Sequence, residues 1–113
     1  MDIAAPPPRR SFLYVPAAKP ERFAKAMNSG ADMVCVDLED ALADDAKEAG
    51  RAATIAFFAE PNAGGVERLV RINSLRTTDG LADLLAFAHA DAAPDGILLP
   101  KVKSAEECHI ARD

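Results

Sequence analysis

The sequence predicts an α/β fold built on a parallel sheet. Three observations carry this. Short apolar runs alternate with helix-length amphipathic stretches in the order βαβαβαβα. The best of those runs, Met33 to Val36, is apolar on both faces, as a strand covered on both sides must be. Each run ends in a charged or polar residue, which fits strands delivering functional groups at their C-terminal ends. Strands alternating with helices imply right-handed crossovers between parallel neighbours.

The elements follow in order. Residues 11–15 (Ser-Phe-Leu-Tyr-Val) form an apolar run before Pro16, the first strand. Pro20 suits the first turn of a helix, where its missing N–H costs nothing. That helix is expected over 20–28, with Phe23 and Met27 on one face and Gly30 as a left-handed cap beyond it. The second strand, 33–38, breaks into Asp37, Glu39 and Asp40. Acids are costly to bury unpaired, so they are expected where cations or solvent reach them. A second helix is expected over 44–59, with Asp44 and Asp45 at its N-terminus. Its predicted buried stripe is Ala46, Ala49, Ala53, Ala56 and Phe57. After a turn cluster at 61–65, the third strand covers 68–72 and ends at Asn73. The third helix begins near Thr78, with Leu81, Leu84, Leu85 and Ala88 at amphipathic spacing. The fourth strand covers 96–99, and Ser104 with Glu107 forms a capping-box pattern opening a fourth helix.

The chain has 113 residues, half of them hydrophobic, which suffices for one core. The net charge of −5, without a basic block, argues against a nucleic-acid partner. No run approaches the apolar length of a membrane span. Residues 1–9 read as a disordered, proline-stiffened lead-in without the apolar core of a secretory signal. Cys35 and Cys108 lack metal-ligand spacing, and Cys35 reads as a buried core thiol. A cytoplasmic location without a disulfide is expected.

The fourth helix stops after two or three turns, and the first and fourth strands would be bare parallel edges. Four βα units are half of a (β/α)8 barrel, whose usual size is about 250 residues. Residues 10–113 are therefore expected to be the N-terminal half of such a barrel, truncated in the fourth helix.

In a barrel the strand ends converge on one mouth, as an active site requires. Here they bring Lys19, Arg22 and Lys25 after the first strand, and Asp37, Glu39 and Asp40 after the second. Arg71 and Asn73 follow from the third and Lys101 from the fourth. Arg71 is the sharpest of them, because it interrupts the run Leu69-Val70-Arg71-Ile72, which otherwise wants burial. Alternation sets it opposite Val70 and Ile72. An inward arginine there suits bidentate capture of a carboxylate. The structural alternative is a salt bridge to Asp37 or Glu39. Lys19, Arg22 and Lys25 suit phosphates, or are simply solvated. His89 and His109 fall on helices away from the strand ends and read as surface or satisfied histidines.

Arg10-Ser11-Phe12-Leu13-Tyr14-Val15-Pro16, Gly30-Ala31-Asp32, Asp37-Leu38-Glu39-Asp40-Ala41, Lys47, Arg51, Val70-Arg71-Ile72-Asn73 and Leu99-Pro100-Lys101-Val102 occur in this order. Together they resemble the citrate lyase beta-subunit (CitE-like) proteins of the HpcH/HpaI aldolase group, which also holds malyl-CoA and citramalyl-CoA lyases. The resemblance covers nearly all of residues 10–112. It implies a TIM-barrel, Mg²⁺-dependent carbon–carbon lyase acting on thioesters of 3-hydroxy acids, carried by coenzyme A or an acyl-carrier protein. It implies substrate carboxylate binding by Arg71, and coenzyme A contacts by Tyr14, Lys19 and Lys25. It sets Asp37, Glu39 and Asp40 beside the metal and substrate. The metal ligands themselves, a Glu and an Asp, are expected beyond residue 113, so the chain alone is expected to be inactive. The full-length protein is expected to be a homo-oligomer. One departure is Ala17 after Pro16, where the family usually has glycine.

Two alternatives stay open. One is a thioester hydrolase on the same barrel. The other is a non-catalytic, receiver-like α/β module, with Asp37 as phospho-acceptor and Lys101 as its lysine. Against that module, the chain has no acidic pair after its first strand and shows four βα units, one fewer than receivers have.

Overall fold

The computed structural model describes residues 10–40, 42–62, 64–90 and 93–112. The expected lead-in over 1–9 and the stop at Asp113 lie outside the described residues. Strand β1 (Phe12–Pro16) leads through a 3₁₀ turn (Pro20–Arg22) into α1 (Phe23–Met27), and then come β2 (Met33–Asp37) and a second 3₁₀ turn (Asp44–Ala46). There follow α2 (Lys47–Ala59), β3 (Glu67–Arg71), α3 (Thr78–His89), β4 (Gly96–Leu98) and α4 (Ala105–Arg112). All pairings are parallel and the strand order is β1-β2-β3-β4. Each strand thus lies beside the one before it, as in a barrel wall. This order overturns the receiver-like module, whose doubly wound sheet sets its first strand between the second and third.

Register and alternation divide the sheet into two faces. Val15, Val34, Val36 and Val70 share one face and form the core with Phe23, Phe58 and Phe87 from the helices. Tyr14, Cys35, Asp37, Leu69, Arg71 and Leu98 share the other.

The expected helix faces hold in part: Ala46, Ala53, Phe57 and Leu84 pack half-buried against the core, but the most deeply buried helix residues are others. In α2, Ala49 and Ala56 are exposed, while Lys47, Gly50, Thr54 and Phe58 are buried. The reason is local and polar. The Thr54 hydroxyl donates to the Gly50 carbonyl at 2.7 Å, and Lys47 meets three acceptors described below. A Cβ at Gly50 would lie 2.6 Å from Leu42, so this face is also the one that fits closely. Asp44 and Asp45 make no side-chain cap; the 3₁₀ turn precedes the helix instead. In α3, Leu81 and Leu85 are 52% and 59% exposed, while Gly80, Asp83 and Phe87 are buried. The cap is Thr77, whose hydroxyl accepts from Gly80 N at 3.0 Å. Gly30 has φ +91°, the left-handed conformation expected of it. In α4 the capping-box glutamate behaves as expected, with Glu107 Oε2 accepting from Lys103 N at 3.0 Å and Ser104 N at 3.2 Å.

Two of these contacts are open to direct test. A Cβ at Gly80 would run into the Ser74 carbonyl. Gly80→Ala should therefore lower stability by about 1–3 kcal/mol, the usual cost of overpacking. Gly64→Ala, which meets nothing within 4 Å, should leave the thermal midpoint nearly unchanged. The second contact is that of Glu107, whose carboxyl is held below the usual range chiefly by the Lys103 N–H. A depressed folded-state value gives stability above the unfolded value that is lost as pH falls through the folded one. Amide exchange in α4 should be faster in Glu107→Ala than in wild type at neutral pH, and the gap should close in acid.

Candidate active site

The C-terminal end of β2 delivers Asp37, which faces Arg71 at the end of β3 as its register partner. Arg71 Nε donates to Asp37 Oδ1 at 3.0 Å, and Nη2 donates to Oδ2 at 2.7 Å. This is a side-on bidentate pair, the geometry that fits a guanidinium to a carboxylate. Asp37 is 2% exposed, and its Oδ1 also accepts from Glu39 N at 2.9 Å. The guanidinium carbon lies 4.7 Å from the centre of the Tyr14 ring, a cation–π contact. The structural salt bridge foreseen as an alternative is therefore present. It does not use up the arginine: Nη1 makes no hydrogen bond among the described residues, so the end-on edge stays open. The hydrogen bond to Asp37 raises the Arg71 pKa further above its already high value, so the guanidinium stays charged.

Glu39 sits between two cations. Its Oε1 is 3.7 Å from Arg71 Nε, and its Oε2 accepts from Lys101 Nζ at 2.8 Å. Lys101 follows β4 with φ 52°, a left-handed conformation that a residue with a side chain adopts at some cost. That turn carries its ammonium to Glu39, which raises its pKa by hydrogen bonding first and charge second.

The remaining candidates divide. Tyr14 and Lys25 line one cleft of about 400 Å³ together with Arg22 and Pro16 along β1. Lys19 is exposed in the loop after β1 and does not line it. Asp40 is exposed and lines a second cleft, of about 340 Å³, with Glu39, Lys47, Asn73 and Lys101.

Sequence reasoning missed the support beneath this mouth. Lys47 Nζ donates to the carbonyls of Leu38 (3.1 Å) and Glu39 (3.2 Å) and to Asn73 Oδ1 (2.7 Å). Asn73 in turn donates from N (2.9 Å) and Nδ2 (2.7 Å) to Asp83 Oδ2, and Arg51 Nε donates to Asp83 Oδ1 at 2.8 Å. Lys47 and Arg51 had entered only as motif positions. No pattern in the sequence marked Asp83, which falls opposite the stripe of Leu81, Leu84, Leu85 and Ala88.

No three His, Cys, Asp or Glu side chains converge as a metal site among the described residues. Asp37 and Glu39 are already engaged by Arg71 and Lys101. The acids present therefore do not by themselves make a divalent-cation site, which needs several oxygens around the ion.

The profile of the HpcH/HpaI aldolase/citrate lyase proteins matches residues 10–112. The chain belongs to that family. It is 43% identical over 100 residues to a protein named (3S)-malyl-CoA thioesterase from Cereibacter sphaeroides, covering 88% of this chain and 34% of that protein. It is 34% identical to the mitochondrial citramalyl-CoA lyase of Rattus norvegicus, covering 88% of this chain and 30% of the relative. CitE from Mycobacterium tuberculosis, solved with magnesium, acetoacetate and coenzyme A, matches with TM-score 0.75 and 37% identity, over 92% of this chain and 38% of that one. RipC from Yersinia pestis matches with TM-score 0.74 and 30% identity, over 96% of this chain and 41% of that one. The chain thus spans about a third of the curated HpcH/HpaI relatives it matches. Its four βα units are part of a (β/α)8 barrel.

Cys35 shares the sheet face of Asp37 and Arg71 and is fully buried, and burial pushes its thiol up to about 12. It is therefore neutral and shielded at ordinary pH, whereas Cys108 is exposed. Brief treatment with a thiol reagent at pH 8, followed by peptide mapping, should label Cys108 and spare Cys35 until denaturant is added.

Proposed function

We propose that the full-length protein is a carbon–carbon lyase that cleaves a 3-hydroxy acid thioester such as a malyl-, citramalyl- or citryl-thioester. The observation that supports this is Arg71, held side-on by Asp37, stacked on Tyr14, and open on its end-on edge at the strand mouth. That edge fits a carboxylate of the substrate, which becomes the oxo-acid product. In the cleavage, the 3-hydroxyl loses its proton and its carbon becomes a carbonyl. The electrons of the breaking C–C bond pass to the thioester as an enolate, which is then protonated. Arg71 binds and orients the oxo-acid half throughout.

Magnesium, the ion bound in the M. tuberculosis CitE structure, would supply Lewis acidity to the oxo-acid, held by ligands other than the paired acids described here. Glu39 and Asp40 border the mouth on the β2 side and would lie beside the substrate there. Tyr14, Lys25 and, from its exposed loop, Lys19 are assigned to the thioester carrier, coenzyme A or an acyl-carrier protein. On this reading the enzyme is a cytoplasmic homo-oligomer, and residues 1–113 alone are inactive.

A second reading is thioester hydrolysis on the same barrel, favoured by the 43% identity to the (3S)-malyl-CoA thioesterase. Product analysis separates the two. A lyase releases an oxo-acid and a shorter acyl-CoA; a hydrolase releases the free thiol and the intact hydroxy acid. In the full-length protein, Arg71→Ala should lower cleavage of malyl-CoA or citramalyl-CoA by about 10²–10³-fold, as loss of a transition-state donor does. Arg71→Lys should recover little, because a point charge does not reproduce the two-pronged edge. Wild-type turnover in Arg71→Ala would remove Arg71 from the site.

A further inference from the structure

Lys47 stands out among the buried groups that the proposed chemistry does not use. It is 7% exposed and is the first residue of α2. Both facts weigh against a cation. The N-terminal end of a helix carries partial positive charge, and burial strips the ammonium of water. Acidic residues suit that place, and Asp44, Asp45 and Glu48 surround it in sequence. What offsets the cost is saturation, since three ammonium N–H groups meet three acceptors at 2.7–3.2 Å.

Two of those acceptors, the Leu38 and Glu39 carbonyls, belong to the backbone that carries the Glu39 side chain. The third is the side chain of Asn73, two residues after Arg71. A single ammonium therefore ties the acidic loop after β2 to the end of β3. It does so from behind, with every proton engaged and none to exchange with substrate. We propose that Lys47 is a positioning residue of the mouth, fixing Glu39 against Arg71 and Lys101 through these three bonds. The proposal rests on the reading of the mouth as the site of cleavage.

The test compares three full-length variants. Lys47→Met keeps the stem and removes the ammonium. Lys47→Arg keeps the charge but replaces a compact tetrahedral donor with a planar fork. Phe58→Leu, in the apolar core away from the mouth, supplies a loss of stability without touching the site. Lys47→Met should lower kcat by about 10- to 100-fold, the scale on which misplaced groups act. KM should change by less than about threefold, because the lost geometry matters most in the transition state. Lys47→Arg should recover part of the rate. Phe58→Leu, at a similar thermal midpoint, should keep kcat. A kcat loss in Lys47→Met no larger than in Phe58→Leu would overturn the proposal. If wild type cleaves no 3-hydroxyacyl thioester, the functional reading fails by itself. The crystal structure of Lys47→Met then decides: displacement of Glu39 from Lys101, 2.8 Å away in the wild type, supports the positioning role, and an unmoved Glu39 overturns it.

Discussion

The pairing of Asp37 with Arg71 is the constraint on which the mouth depends. The two residues are register partners on the last rung between β2 and β3, so their bidentate contact exists only if that register holds. A slip of β3 by one residue against β2 would turn Arg71 towards the apolar layer of Val36 and leave Asp37 behind on the other face. Removing either partner of a buried pair costs about 3–5 kcal/mol, because the other charge is left without compensation. The pair also reaches sideways. Asp37 accepts from Glu39 N, and Glu39 accepts from Lys101 at the end of β4. One carboxylate at the end of β2 thus begins a chain of charges that spans the ends of β3 and β4.

Behind that chain lies a second polar layer. Lys47, Asn73, Asp83 and Arg51 link α2 and α3 to the strand ends without passing through the apolar core. The opposite ends of the strands are held by different chemistry. There Asp32 accepts from Arg10 N and Ser11 N, Asp95 accepts from Arg68 N, and Arg68 Nη1 donates to the Phe57 and Glu60 carbonyls at the end of α2. Those bonds close backbone ends, and Arg68 Nε is left buried without a hydrogen-bond partner. The contrast matches the division of a barrel into a stabilising floor and a working mouth.

The sheet was legible because its signals are redundant. β2 is apolar on both faces and ends in acids, and no other element type accounts for both. Arg71 was legible for a similar reason, as the charge that interrupts the run Leu69-Val70-Arg71-Ile72. The helix faces were legible only in part. Leu81 and Leu85 have ideal spacing, yet α3 turns Asp83 inward because Asn73 offers that carboxylate two donors at the end of β3. In α2, Ala46, Ala53 and Phe57 pack against the core as expected, but Lys47, Gly50 and Thr54 are buried more deeply. Periodicity counts apolar residues and cannot see a partner from another element, so the buried polar residues were missed. The grouping of Lys19 with Tyr14 and Lys25 came from the family resemblance, and only Lys25 shares a cleft with Tyr14 in the fold.

Charge balance connects this arrangement to the proposed chemistry. Arg71 and Lys101 are matched by Asp37 and Glu39, so the mouth holds two cations against two buried acids. On the proposed reading, a substrate carboxylate at the open edge of Arg71 would add a negative charge beside Glu39, and the enolate formed on cleavage would add a second close by. In a site of low effective dielectric such charges repel strongly unless further positive charge is present. On the proposed reading, a divalent cation held by other strands of the full barrel supplies it. The residues described here then have a narrower role, which is to hold one arginine charged, aimed and neutralised on one edge only. A more basic mouth would bind anions more tightly in the ground state, which lowers KM without speeding the chemical step.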